Sequence, residues 1–315
     1  MDGRVVRAGV LCGLMTAGTA LAGSFQPERV PASANWVMHA DVATLHKTEM
    51  GRYVLGRLSE GEADRKLDTV KALFDFDPRT DLDSITAYGK GGRNEEGVAI
   101  LKGRFATERL VALVQVNETY EAYPHGDHTI HYWIDENKNE ESYGSVYSDG
   151  SVLLGHSERD LAEALDALDG KAKSLSDTQK FDVLRASRNA VFFMGAADLD
   201  AMQDVRPEAA TLRHADSAQF VMREQNGNLE GDITLDTRSP EDAQRVQQVA
   251  QGLIAFAILA EQKRPALAGL ARTAQVRMAN DVVTVSFSYP VQDAIRCVEE
   301  HERHEKKETT GGNTW

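Results

Sequence analysis

The strongest constraint on how this chain folds is an internal repeat. The segment Trp36-Val37-Met38-His39-Ala40-Asp41-Val42-Ala43-Thr44-Leu45 returns as Phe192-Phe193-Met194-Gly195-Ala196-Ala197-Asp198-Leu199-Asp200-Ala201-Met202. Each copy runs from an apolar, strand-like stretch into an acidic residue suited to cap a helix, and the same order of hairpins and helices follows both. A chain that states one plan twice is expected to form two similar tandem units. In each, hairpins build an antiparallel sheet with helices packed on one face, an α+β class. The expected limits are residues 23–172 and 173–304, with the polar stretch Lys171 to Asp177 at the join and a charged, Gly-rich, disordered tail at 305–315. With 315 residues in all, each unit is long enough to bury its own core.

Local signals fill in this plan. Helices are expected over about 42–58 and 62–74, where Asp41 caps the first, and over 107–116, where Leu110, Leu113 and Val114 fall at helical spacing. Asp149-Gly150 and Asn226-Gly227 each stand between strand-like runs, a hairpin signature. Ser157-Glu158-Arg159-Asp160 and Ser239-Pro240-Glu241-Asp242 read as helix starts with a capping hydroxyl and acids in the first turn. A helical stretch is expected over about 200–212, and another from Val291 to His304. Leu253 to Ala260 is apolar all round, which predicts a helix sandwiched inside the protein.

Residues 1–22 read as a secretory signal peptide: Arg4 and Arg7 precede an apolar run, and Ala20-Leu21-Ala22 is a small-x-small cleavage segment before Gly23. The run is shorter than the ~20 residues a spanning helix needs, so the expected location is periplasmic or secreted, with no membrane span once the signal is gone. Cys12 has Gly9 three places before it, where a lipoprotein signal wants Leu. Removing the signal leaves Cys297 as the single thiol, so no intrachain disulfide is expected. Ala294 and Val298 beside it predict a small buried hydrophobe. The formal net charge of −14 excludes a nucleic-acid partner and disfavours anionic headgroups.

Three stretches, Trp36 to Leu45, Asp77-Pro78-Arg79-Thr80-Asp81-Leu82-Asp83-Ser84-Ile85-Thr86-Ala87-Tyr88-Gly89, and Tyr143 to Gly170, resemble a group of uncharacterised exported proteins of planctomycete-type bacteria. The resemblance covers most of the mature chain. It implies export and this organisation, and it brings no activity or cofactor.

The sharpest chemical cluster is His125-Gly126-Asp127-His128-Thr129-Ile130-His131. His125, Asp127, His128 and His131 carry donors suited to zinc. On a strand, however, His131 shares a side with Thr129 and Trp133 while His128 shares one with Ile130 and Tyr132, so only a bend at Gly126 could bring His125 or Asp127 round to join one of them. His301 and His304 stand three apart on the last helix, one place short of the zinc signature HExxH. The acids of Asp75 to Asp83 lack the glycine and distal Glu of a calcium loop, and Pro78 is better read as ending a helix. No Gly-x-Ser-x-Gly elbow or phosphate-binding glycine fingerprint is present. The expectation is therefore a non-enzymatic cell-envelope module with no catalytic residue and no cofactor, binding an envelope protein or a small ligand. The alternative is a metal-dependent hydrolase built on the His125, His128 and His131 cluster.

Overall fold

The computed structural model describes residues 23–91, 97–135, 139–181, 190–199, 215–261 and 265–300. Its strands are β1 (Trp36–Asp41), β2 (Leu82–Gly89), β3 (Gly97–Gly103), β4 (Glu121–His125), β5 (His128–Asp135), β6 (Glu140–Val146), β7 (Val152–Gly155), β8 (Phe192–Ala197), β9 (Ala215–Gln225), β10 (Asn228–Thr237), β11 (Gln275–Ala279) and β12 (Val282–Pro290). All lie in one 12-stranded sheet of order β11-β12-β10-β9-β8-β1-β2-β3-β7-β6-β5-β4. Every pairing is antiparallel.

β1 and β8 meet at the middle of this sheet. They pair in the register Trp36↔Ala196, Met38↔Met194 and Ala40↔Phe192, centred on the two methionines. Outward from that seam the order is β1-β2-β3-β7-β6 on one side and β8-β9-β10-β12-β11 on the other, with β5 and β4 added beyond β6. The core ignores the seam: Val37 of β1, Phe193 of β8 and Val221 of β9 belong to one buried cluster with Ile100, Leu153, Leu161 and Leu165. Leu175, from the polar join, is buried in the same cluster, and its N–H donates to the Val30 carbonyl at 2.7 Å.

Among the described residues the helices are α1 (Val42–Leu45), α2 (Glu49–Leu58), α3 (Gly61–Phe74), α4 (Pro78–Asp81), α5 (Thr107–Gln115), α6 (Glu158–Leu168), α7 (Pro240–Leu259), α8 (Pro265–Thr273) and α9, over 291–300. The helix expected over 42–58 is broken. Thr48 accepts from the Gly51 N–H and donates to the Leu45 carbonyl, so it starts α2 afresh. Gly51 is required there, because a Cβ would lie 1.9 Å from the Leu45 carbonyl oxygen.

Helices were expected on one face, yet in the first half they cover both. Ile130 packs with Leu161 and Leu165 of α6, while the adjacent His131 points the other way, toward α5. A second departure concerns α7. Ala243 and Val246 in its first turns pack against Leu235 and Val283, but its C-terminal half is not sandwiched: Leu253 is 64%, Phe256 71% and Leu259 84% exposed. All-round apolarity marks an absence of polar residues and does not itself supply a second packing layer. Cys297 is half-buried instead of buried, with its Sγ 3.8 Å from the Tyr289 hydroxyl.

No helix among the described residues is long and apolar enough to cross a membrane. The signal segment 1–22, the helical stretch expected at about 200–212, His301, His304 and the tail 305–315 lie outside the described residues.

Candidate functional site

β4 and β5 form a hairpin whose two-residue turn is Gly126-Asp127, with Gly126 at φ 59°, a backbone region glycine enters without strain. His125 and His128 are therefore cross-strand partners. Both reach the C-terminal end of α6. His125 Nε2 lies 2.9 Å from Asp166 Oδ1, and His128 Nε2 lies 2.9 and 3.0 Å from the two Asp169 oxygens. Asp169 also accepts from Lys171 Nζ at 2.8 Å and from the Tyr147 hydroxyl at 3.1 Å. Lys171, then His128, holds its carboxyl down at about 2. The pair thus clips the hairpin to α6.

His131, three residues on, faces the opposite side of the sheet, where its Nδ1 sits 2.8 Å from the Tyr120 hydroxyl. Asp127 stays in the turn. The four candidate ligands are divided between two faces and do not converge. Among the described residues no three His, Cys, Asp or Glu side chains come together as a metal-holding group.

The side of the sheet that His131 faces carries a different feature. α3 and α5 bridge over it without filling the space beneath, leaving a hollow of about 440 Å³, within the size range of small-molecule sites. Its roof is Val70 and Phe74 from α3 and Leu110, Val111 and Val114 from α5; Phe76 and Phe105 stand in the walls; its floor is Leu101, Trp133, Val146, Val152 and Leu154. Phe76 and Phe105 stack with ring centroids 4.4 Å apart. A second hollow of about 330 Å³, bordered by Trp36, Ala99 and Tyr143, shares Trp133 and Leu154 with the first.

The side chains of His131 and Ser145 are the hydrogen-bonding exceptions in this apolar lining, with the Trp133 indole. Ser145 is committed, its hydroxyl donating to the Thr129 carbonyl at 2.9 Å. Burial pushes the His131 imidazole below its ordinary value, so it is neutral at pH 7. In the tautomer where the Tyr120 hydroxyl donates to Nδ1, the Nε2–H is a donor without a partner among the described residues.

The acidic loop that resembled an ion site holds the roof in place. Arg79 donates to Asp77 at 2.8 Å, to Asp64 at 2.5 Å and to Asp68 at 2.7 Å, joining α4 to α3. Arg79 holds the Asp77 carboxyl at about 2. Asp77 is paired with Arg79 and also with Lys71 near the C-terminal end of α3, so α3 is tethered beside the hollow. Leu110 and Val114 were visible in the sequence as an inward-facing stripe. What the stripe faces is set by residues far away along the chain, and no local signal marks that the space is left unfilled.

No family model matches this chain, and no curated protein matches it. Among solved structures, the crystal form I structure of TP0453 is similar, with a TM-score of 0.45 at 8% identity over 89% of this chain and 99% of that one. A likeness of that degree carries no argument about activity, so the functional reading stands on this chain's own residues.

Proposed function

We propose that this chain is an exported, non-enzymatic binding protein of the cell envelope, periplasmic or secreted, that holds a neutral, elongated apolar molecule between the α3–α5 roof and the sheet. The observation that carries the reading is the 440 Å³ apolar hollow. Its walls favour a hydrocarbon body, worth about 0.8 kcal/mol for each methylene taken from water. The neighbouring 330 Å³ hollow gives an elongated ligand room to extend past Trp133 and Leu154. The neutral His131 can donate one hydrogen bond to a hydroxyl or ester oxygen but gives no charge to pair with a carboxylate. A net charge of −14 likewise disfavours an anionic ligand.

In this reading the repeat supplies the scaffold: two tandem α+β units share one sheet through β1 and β8. The first unit, which has the extra β4–β5 hairpin, carries the site. The alternative of a metal-dependent hydrolase at His125, His128 and His131 has no observation in its favour, since His125 and His128 are engaged by Asp166 and Asp169.

The test is displacement of an environment-sensitive apolar dye by a long-chain 1-alkanol, with wild type and Leu110→Trp compared. Wild type is expected to bind both, and the larger side chain in the roof to abolish binding while melting stays cooperative. Full affinity in Leu110→Trp would place the ligand elsewhere and end the proposal.

A further inference from the structure

Gly23, the first described residue, directly follows Ala20-Leu21-Ala22. It is buried, and His39 Nε2 lies 2.9 Å from its carbonyl oxygen. His39 is held in turn, its Nδ1 lying 2.9 Å from Thr86 Oγ1 and its ring stacked on Phe193. Gly23 also presses on Asp41, for a Cβ built on it would lie 1.9 Å from Asp41 Oδ1 and 2.8 Å from the Asp83 carbonyl oxygen. Only glycine fits.

Asp41 is 4% exposed. Its carboxylate accepts the Thr44 N–H at 2.7 Å and the Thr44 hydroxyl at 2.8 Å, and no Lys or Arg pairs with it among the described residues. Buried carboxylates are stable when a cation compensates them. The nearby His39 does not serve, because burial drives its imidazole toward the neutral form.

We propose that the chain is cut between Ala22 and Gly23 and that the α-ammonium so released is the counterion of Asp41 in the folded protein. In the cut, water adds across the peptide bond: the C–N bond breaks, the Ala22 carbonyl carbon takes the oxygen as a carboxylate, and the Gly23 nitrogen leaves as an ammonium. A neutral amide nitrogen with one hydrogen becomes a cation with three donors, carried by the residue whose Cα packs against the Asp41 carboxylate. The processing site and the fold are thereby matched to the residue. This inference rests on the export reading and is independent of the ligand-binding one.

The experiment begins with the full chain secreted from a bacterial host, whose intact mass is expected to show loss of residues 1–22. The protein beginning at Gly23 is then compared with one carrying a single extra alanine before it, which displaces the charge by about 3.8 Å. The extension is expected to lower Tm by about 5 °C or more. In the Asp41→Asn background, where asparagine still caps α1, the difference is expected to vanish. Should Asp41→Asn not fold, Asp41→Ser serves in its place. A different mature N-terminus, an extension without effect, or a difference that persists without the carboxylate would each overturn the proposal.

Discussion

Phe76→Ala probes the hollow from its wall. Phe76 is 8% exposed and stacks on Phe105 at 4.4 Å with the ring planes 25° apart. Removing a buried phenylalanine costs about 3–5 kcal/mol, and the stacked pair accounts for about 0.5–1.5 kcal/mol of that. Because one side of the ring already borders empty space, the lower end applies, about 3 kcal/mol. At about 2–4 °C per kcal/mol for a chain of this order of size, Tm falls by about 6–12 °C. The assay is urea and thermal unfolding with and without a long-chain 1-alkanol. Bound alkanol at about a hundred times its Kd returns about 2.7 kcal/mol, nearly restoring the variant, and the enlarged hollow shifts the best-bound chain to greater length. Phe105→Ala combined with Phe76→Ala should cost less than the sum of the two, since each ring loses the same partner. A loss under about 1 kcal/mol, or strict additivity, would refute the packing argument.

Three further outcomes are expected. Acid unfolding should come in two stages. His39 and His131 titrate below the ordinary histidine value, so stability falls as pH drops below about 6.5. Asp77, Asp149 and Asp169, each held at about 2, contribute stability that is present above about pH 4 and is lost as pH falls toward about 2; circular dichroism against pH checks both stages. Arg79→Met should leave the sheet intact but untether α3, read as faster hydrogen exchange at Val70 to Phe74 and weaker alkanol binding. Gly231→Ala should cost about 1–3 kcal/mol in urea unfolding, because its Cβ would meet the Phe287 ring at 2.1 Å, and Phe287→Leu in the same chain should recover part of the loss.

The sequence announced what short-range chemistry controls. Asp149-Gly150 and Asn226-Gly227 turn their hairpins, with Gly150 at φ 82° and Asn226 and Gly227 at 52° and 76°, and Ser239 caps α7 through the Asp242 N–H at 3.1 Å. β4 escaped notice because Pro124 interrupts it. Proline is tolerated there since β4 is the sheet's edge, and an edge depends on tertiary position. The joining of both halves into one sheet was equally hidden, because Met38↔Met194 is a pairing across the whole first half of the chain. The division of the histidine cluster was legible, because alternation along a strand puts His128 and His131 on opposite faces. The hollow was illegible because its lining comes from two helices and several strands distant in sequence.

The central claim is tested most directly by isothermal titration of the delipidated protein with 1-alkanols of increasing length. The account predicts one site, tightening about fourfold with each added methylene until the hollow is full and then levelling off. Absence of binding at millimolar alkanol, or affinity that ignores chain length, would contradict it.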